Sequence, residues 1–345
     1  MNKRLEFHAL RFGLLMVDPA DFTVERRKHG SQHRIVFAGG ETITDKRLKA
    51  RVKALVIPPA WADVKICVEE NGHIQAIGRD EKGRLQYRYH DDWVNVRNAV
   101  KTERLLRFGR ALPKLRRRME KDLRRPALDE RTTSAVAARL IDVAAMRPGH
   151  EKYAEDGGRG VASLRKGDLR LGKSRAVLKF VGKSRKLNVI EIEDRNLVRS
   201  LEKMRAGRGK RLFHYRGADH KAHDLTANRL NAYLRDSAGK RISAKDFRTF
   251  HGSAEALRFL VEEVKPAETD TEAKRKRAVA KAMRAVSEVL RNTPAVARAS
   301  YVHPEIVSAF EEERLPRNLL KGRRREGLTK VESGLMRFLE ETATA

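Results

Sequence analysis

The hydrophobic pattern of this chain changes its period near Trp93, and this change is the feature that most constrains the fold. Before Trp93, apolar and polar residues alternate, as at 64–68 and 85–89, and Asn71-Gly72 is a strong hairpin-turn signal. After Trp93, apolar residues recur every three to four positions, as on one face of a helix. The two periods together predict an α+β protein with a small β-rich N-terminal part and a larger, mainly α-helical part.

The helical part contains a short interruption with strand-like alternation. Helices are predicted at 45–56, 96–110, 112–124, 134–147, 223–235, 244–264, 272–291, 294–312 and 330–341. Strands of a small three-stranded antiparallel sheet are predicted at 161–165, 176–181 and 187–192, with 169–171 as an additional pairing stretch. We therefore divide the chain into a β-rich domain at 1–90, a mainly helical domain at 91–312 and a basic tail at 313–345.

The charge of the chain indicates the class of partner. The 345 residues carry a formal net charge of +30, and the basic residues are interleaved with apolar ones, as at 112–123. This pattern predicts a folded basic surface that binds a polyanion. Nucleic acid is favoured over an anionic membrane, because a membrane anchor would need a compact polybasic cluster beside an apolar face, and the sequence shows none. No stretch approaches the roughly 18 apolar residues of a membrane span. The single cysteine, Cys67, excludes an intramolecular disulfide, and we expect a cytoplasmic protein.

Two segments resemble cofactor-binding motifs in their sequence patterns. Residues 167–174 fit the pattern G-x-x-x-x-G-K-[ST], but a phosphate-binding loop needs a helix after it, and the residues here alternate like a strand. Glu191, Glu193 and Asp194 are the nearest approach to a metal-binding carboxylate cluster. They lie at a predicted strand end, where a solvated charge run is ordinary. We therefore expect no nucleotide cofactor and no metal.

Five residues in the helical part stand out by their local settings. Arg147 is predicted on the apolar stripe of helix 134–147, where a guanidinium must be paired or line a cleft. Lys183 lies at a predicted hairpin tip, and Arg248 lies in the first turns of a capped helix. Asn292 opens an Asn-Thr-Pro helix start, and Tyr301 follows two turns later. Each residue alone also fits an ordinary structural role.

Taken in order, these features resemble the type IB DNA topoisomerases of the bacterial and poxvirus kind. The segments 57–61, 78–89 and 300–304 are also similar to that family, and the resemblance covers about residues 10–310. Its motifs are specific as a set. Arg291 departs from the pattern, because relatives often have Gly at this position.

The resemblance implies a role for each of the five residues. Tyr301 would attack a DNA phosphodiester and form a 3′-phosphotyrosine, and Arg147 and Arg248 would hold the scissile phosphate. Lys183 would protonate the leaving 5′ oxygen. Asn292 occupies a phosphate-binding position where many relatives have His; an amide can donate a hydrogen bond there but cannot be cationic.

The resemblance also implies how DNA is held. Double-stranded DNA is the expected partner, gripped by a monomer that acts as a clamp on the nucleoid, and Arg79, Gln86, Tyr87 and Tyr89 are its expected contacts in the major groove. Two other classes remain open. A tyrosine recombinase shares the chemistry but usually has His where this chain has Lys245, and it lacks this N-terminal half. A non-catalytic basic DNA-binding protein would form no covalent adduct.

Overall fold

The computed structural model describes residues 3–30, 32–149, 158–207 and 209–344. The chain divides into two compact units, Met1–Lys101 and Thr102–Ala345. The α+β class predicted from the sequence is confirmed, because a sheet-rich N-terminal unit precedes a mainly helical unit with small sheets.

The first unit is built on a five-stranded antiparallel sheet in the order β2-β1-β3-β4-β5. Its strands are β1 Val24–His29, β2 Gln32–Phe37, β3 Ala62–Ile66, β4 Ile74–Arg79 and β5 Leu85–Tyr89. Its helices are α1 Lys3–Arg11 and α2 Lys46–Ala54. The residues that form its main core are Val24, Ile43, Val52, Val64, Ile66 and Ala76.

Strands β1 and β2 were not individually predicted, for a physical reason. Each has only one buried residue, Val24 in β1 and Val36 in β2, and most of their other positions are charged or polar and face solvent. Apolar alternation is therefore too short to detect in either strand. The hairpin between β3 and β4 was predicted from Asn71-Gly72, and Cys67 Sγ would lie 2.8 Å from a Cβ at position 72, so a glycine is needed there.

Helices dominate the second unit and enclose one continuous apolar core. They are α3 Trp93–Leu123, which begins before the unit boundary, α4 Glu130–Ala144, α5 Arg195–Ala206, α6 Ala227–Ala238, α7 Ala244–Arg258, α8 Glu272–Leu290, α9 Pro294–Ser300, α10 Pro304–Glu311 and α11 Lys330–Thr344. At the centre, the ring of Phe108 packs against those of Phe247 and Phe250, with centroids 4.9 and 5.3 Å away.

The predicted small sheet is present, but one of its three strands was predicted in the wrong segment. The sheet is antiparallel with the order β6-β7-β8, formed by β6 Leu169–Leu171, β7 Ala176–Val181 and β8 Leu187–Ile192. The segment predicted as a strand at 161–165 instead forms a 3-10 turn at Val161–Ser163. The hydroxyl of Ser163 closes this turn by bonding the backbone N and O of Gly160 at 2.9 and 3.1 Å. A second small sheet, of β9 His214–Arg216 and β10 Ala222–Asp224, was not predicted.

Two helix predictions were wrong at prolines. The predicted helices 96–110 and 112–124 are one helix, α3, which continues through Pro113 because Leu112 and Leu115 are fully buried on either side of it. The predicted helix 294–312 is two helices, α9 and α10, because Pro304 disfavours helical geometry at the residue before it. The break between them carries Tyr301.

The C-terminal segment belongs to the core of the second unit. Leu335, Met336 and Leu339 of α11 are almost completely buried. Both carboxylate oxygens of Glu332, also on α11, accept hydrogen bonds from Arg116 at 2.8 Å. The three-part division drawn from the sequence stays a prediction. In the described ranges, no helix is both long and apolar enough to cross a membrane.

Candidate active site

Tyr301 lies at the C-terminal end of α9, and its backbone is held on both sides. Its N–H donates to Ala297 O at 3.0 Å, and its carbonyl accepts from Ser253 Oγ at 3.3 Å. A Cβ at position 252 would lie 3.1 Å from the Tyr301 carbonyl oxygen and 3.3 Å from its Cβ. Gly252 therefore permits the close approach of α7 to this turn, and the phenol is left half-buried.

Arg248 extends from α7 and stacks on Tyr301. Its Cζ lies 4.7 Å from the centroid of the Tyr301 ring, and the residue is only 2% exposed. Its Nη2 donates to Leu290 O at 2.9 Å, and its Nη1 donates to Ala145 O. Its Nε is buried and has no hydrogen-bond partner among the described residues. One donor of this buried guanidinium is therefore available to a ligand.

Arg147 does not lie on a helix, which corrects the sequence prediction. Helix α4 ends at Ala144, because Ala145 adopts a left-handed conformation with φ 49°. Arg147 follows in an extended segment, where its carbonyl accepts from Val161 N at 2.9 Å. A Cβ at position 160 would lie 2.8 Å from that carbonyl oxygen, so Gly160 is required for this pairing. The half-buried Arg147 is thus fixed by the backbone that follows it.

Four arginines converge on one small cavity. Arg147, Arg159, Arg248 and Arg291 all line a cavity of about 20 Å³ at the ends of α4 and α8. Among the described residues, only Arg159 of these four is paired with a carboxylate, that of Asp168. Like charges at this density repel one another, and an anion with several oxygens relieves the repulsion. The cluster is therefore suited to a phosphate.

This positive charge changes the acidity of the residues within it. Burial raises the pKa of the Tyr301 phenol, but the positive charges of Arg248, Arg147 and Lys245 outweigh it, and the net pKa is lowered from its ordinary value. Burial, followed by the repulsion from Arg147, lowers the pKa of Arg248 to about 10. Arg248 therefore remains protonated at neutral pH, and the surroundings of Tyr301 favour the phenolate.

Asn292 lies directly beyond the end of α8. Its N–H donates to Ser287 O at 3.0 Å, which fixes the backbone. Both polar atoms of its amide group are buried and have no hydrogen-bond partner among the described residues. A buried amide without partners is costly, so this side chain is prepared for a ligand that supplies them.

Lys183 is exposed and begins a 3-10 turn between β7 and β8, as the predicted hairpin tip required. The segment 158–160 connects this turn to the Arg147 backbone. Arg159 N donates to Val181 O at 2.9 Å, and a Cβ at position 158 would lie 3.3 Å from Lys183 Cα. The same segment pairs with Arg147 through Gly160. The turn that carries Lys183 is therefore held beside the arginine cluster.

The sequence analysis missed three residues that contribute to this site. Lys245 was seen only as part of a motif, although its charge helps to lower the pKa of Tyr301. Arg291 was noticed only as a departure from a family pattern. Nothing in the sequence around Arg159 indicates a functional site. Arg159 is brought to the cavity by a backbone hydrogen bond to β7, and the incorrectly predicted strand at 161–165 did not allow for this pairing.

The predicted DNA contacts of the first unit lie on β4 and β5. Arg79 is exposed and donates to Gly83 O at 3.0 Å, and Gln86 donates to Asp80 Oδ2 at 2.9 Å. The exposed ring of Tyr87 stacks on Tyr89, with centroids 5.8 Å apart. Tyr89 in turn stacks on Trp93 and is half-buried, so Tyr87 is the more accessible of the two tyrosines.

The two cofactor-like segments have ordinary structures. Gly167 is followed at once by β6, and β7 comes next instead of the helix that a phosphate-binding loop requires. Glu191 belongs to β8, and Asp194 caps α5 by accepting from Leu197 N at 3.1 Å. Within the part of the chain that the structure describes, no group of three or more His, Cys, Asp or Glu side chains is placed to hold a metal ion.

Known families match both units. Residues 91–317 match the model described as eukaryotic DNA topoisomerase I, catalytic core, and residues 33–80 match the model of the bacterial DNA topoisomerase IB N-terminal domain. A DNA topoisomerase 1B of Acanthamoeba polyphaga mimivirus is 30% identical over 271 residues, which cover 77% of this chain and 80% of that protein. The chain belongs to the type IB DNA topoisomerase family.

Membership of the type IB topoisomerase family decides among the classes left open by the sequence. The chain is a DNA topoisomerase, an isomerase that binds DNA. The matched catalytic core includes all five candidate residues from Arg147 to Tyr301. The matched N-terminal domain covers α2, β3, β4 and all of β2 except Gln32.

Proposed function

We propose that this topoisomerase relaxes supercoiled DNA without ATP or a metal ion, by cutting one strand through a 3′-phosphotyrosyl intermediate, allowing strand rotation and resealing the strand. The observation that carries the proposal is the stacking of the Arg248 guanidinium on Tyr301, at 4.7 Å from the ring centroid. A nucleophile and a buried cation in contact are the two parts that phosphoryl transfer to a protein side chain requires.

In the cleavage step, the Tyr301 oxygen forms a bond to phosphorus as the bond from phosphorus to the 5′ oxygen breaks. An ordinary tyrosine is ionised to roughly one part in a thousand at neutral pH, so the lowered pKa of Tyr301 increases the reactive fraction. Arg147 and Arg248 hold the non-bridging oxygens and stabilise the charge of the transition state in place of a metal. The phosphotyrosine conserves the bond energy, so resealing by the 5′ hydroxyl needs no ATP.

The leaving 5′ oxygen needs a proton, because an alkoxide is a poor leaving group. Lys183 supplies this proton from the β7–β8 turn and recovers it when the strand is resealed. The Asn292 amide donates to a phosphate oxygen, and this contact satisfies a buried group that has no partner among the described residues.

Binding of the duplex rests mainly on phosphate contacts. The net charge of +30 supports a large and salt-dependent affinity that does not depend on sequence. Arg79, Gln86, Tyr87 and Tyr89 extend the contact to base edges in the major groove. We infer that the enzyme acts as a monomer and as a clamp on nucleoid DNA.

We expect the protein to relax both positively and negatively supercoiled plasmid in EDTA without nucleotide. The reason is that arginine and lysine side chains supply all the charge stabilisation that the proposed step needs. Gel separation of topoisomers measures the result, and Tyr301→Phe is the inactive control. A strict requirement for Mg²⁺ or ATP would contradict the mechanism, and exchange of strands between two sites would indicate a recombinase.

We expect Lys183→Ala to slow cleavage by about 100- to 10,000-fold on ordinary DNA, the usual contribution of a general acid. On DNA with a 5′-bridging phosphorothiolate, the variant should cleave at nearly the wild-type rate, because a thiolate leaves without protonation. Single-turnover cleavage of both substrates measures this difference. Lys186→Ala, three residues along the same turn, is the matched control and should be slowed on neither substrate. If Lys183→Ala slows the cleavage of both substrates equally, Lys183 is a phosphate contact and not the general acid.

A further inference from the structure

Helix α8 ends in a motif that normally contains glycine, and here it contains arginine. The N–H of Arg291 donates to Glu288 O at 3.3 Å and that of Asn292 to Ser287 O at 3.0 Å, which is the Schellman pattern. Arg291 adopts φ 53° and ψ 53°, a left-handed conformation that is unfavourable for a residue with a Cβ. Glycine would adopt this conformation without strain, whereas arginine adopts it at a cost that the contacts of its side chain offset.

The side chain of Arg291 connects the ends of two helices. Its Nη1 donates to Ala144 O, the last residue of α4, at 2.7 Å, and to Val289 O, near the end of α8, at 3.2 Å. The last carbonyls of a helix have no partner within the helix and carry the negative end of its dipole. A guanidinium placed on the carbonyls of two helix ends therefore draws these ends together.

Arg248 makes the same kind of connection one residue further along each helix. It donates to Ala145 O after α4 and to Leu290 O at the end of α8. The two arginines together form what we call the helix-end clasp, made of Arg248 and Arg291 and the carbonyls of 144, 145, 289 and 290. The α4 end leads into Arg147, and the α8 end leads into Asn292. The clasp thus sets the distance between two groups that the proposed function places at the phosphate.

We propose that Arg291 is a positioning residue of the cleavage reaction. It acts through the backbone, by holding the end of α4 against the end of α8 so that Arg147 and Asn292 converge on one phosphate. It also shares the helix-end carbonyls with Arg248, whose Nε has no hydrogen-bond partner among the described residues. This inference rests on the proposed function, because its effect is measured on covalent cleavage.

The decisive variant is Arg291→Gly, which removes the side chain and relieves the left-handed backbone. We expect its melting temperature to equal or exceed that of the wild type and its DNA affinity to change less than about twofold, since many other cations hold the phosphates. We expect its single-turnover cleavage rate to fall about 10- to 100-fold, the cost of a small misplacement of catalytic groups. A matched control is His220→Gly, at φ 60° in the β9–β10 turn, which relieves a similar backbone strain and should cleave normally.

Two further variants separate positioning from a general structural role. Arg291→Lys keeps a donor for the Ala144 carbonyl. On a logarithmic scale, its single-turnover cleavage rate should recover at least half of the loss caused by Arg291→Gly. In a double-mutant cycle, Arg291→Gly should slow Asn292→Ala by less than it slows the wild type, because the part of its effect that acts through Asn292 is already lost and only the part that acts through Arg147 remains.

The outcomes distinguish this inference from the function on which it rests. If the wild type forms no covalent adduct with DNA, the proposed function fails. If the wild type forms the adduct and Arg291→Gly cleaves as fast, the positioning role is wrong. A cleavage loss that follows a lower melting temperature in both Arg291→Gly and Arg291→Lys, or full additivity with Asn292→Ala, would also overturn the positioning role.

Discussion

The Tyr301→Phe variant is expected to form no covalent adduct and to relax no supercoiled DNA, while it binds duplex DNA almost as tightly as the wild type. The cleavage chemistry depends on one phenolic oxygen, whereas the affinity is spread over many contacts between basic residues and phosphates. The ring remains in the variant, so its stacking under Arg248 and the packing of the α9–α10 turn are preserved. Denaturant trapping of labelled DNA, together with a binding titration at fixed salt, measures both effects.

Peptide mapping of the wild-type adduct tests the assignment directly. A label on the DNA segment that ends in the 3′ phosphate, upstream of the break, should be attached to the peptide that contains Tyr301. Tyr233→Phe is the matched control, because Tyr233 is a buried tyrosine of the same unit whose hydroxyl donates to Asp122 at 3.0 Å. It should cleave DNA like the wild type. An adduct that survives in Tyr301→Phe, or one linked to the 5′ end, would overturn the assignment.

The largest expected loss of stability follows from Asp142→Asn. Asp142 is almost completely buried, and its two carboxylate oxygens accept from Arg116 at 2.9 Å and from Arg139 at 3.0 Å. His251 lies 3.4 Å away. Removing one partner from a buried ionic network leaves uncompensated charge and costs about 3–5 kcal/mol, or roughly 6–20 °C of melting temperature for a unit of this size. Glu326→Gln, which removes an exposed carboxylate paired with Arg117, should cost almost nothing.

The pH dependence of this loss has a definite sign. Burial raises the pKa of Asp142, but His251 and Arg116 outweigh it, and the net pKa lies below its ordinary value. The carboxylate therefore contributes full stability above the unfolded-state pKa of about 3.9, and this contribution is lost as the pH falls through the folded-state pKa. The difference between wild type and Asp142→Asn should shrink in acid. A difference that is unchanged or larger at low pH would contradict a charge-based role for Asp142.

The candidate site residues were selected from the sequence by their local signals and by the family resemblance, and their roles stay predictions. Tyr301, Arg248 and Lys183 occur beside turn and cap signals, and the structure has those signals where they were expected. The prediction for Arg147 was wrong in its secondary structure, because periodicity alone extended the helix beyond Ala144. What ends that helix is the left-handed Ala145, and alanine gives no sign of that conformation.

The contacts that assemble the site could not be predicted from the sequence, for a different reason. Arg248 and Arg291 donate to backbone carbonyls, and every residue of the chain has a backbone carbonyl. Such acceptors have no signature in residue type, so the pairing of 291 with 144 appears only once the helices are packed. The pairing of 147 with 161 was hidden in the same way, since it depends on Gly160 lying against the chain 13 residues earlier.

The burial of α11 has a consequence for the order of events during synthesis. Glu332 of this helix completes the ionic network of Arg116, and Leu335, Met336 and Leu339 close the core. A ribosome translating this chain produces Tyr301 and the arginine cluster well before these residues emerge. The unit that carries Tyr301 therefore cannot reach its final packing before α11 has left the ribosome and docked against the rest of the core.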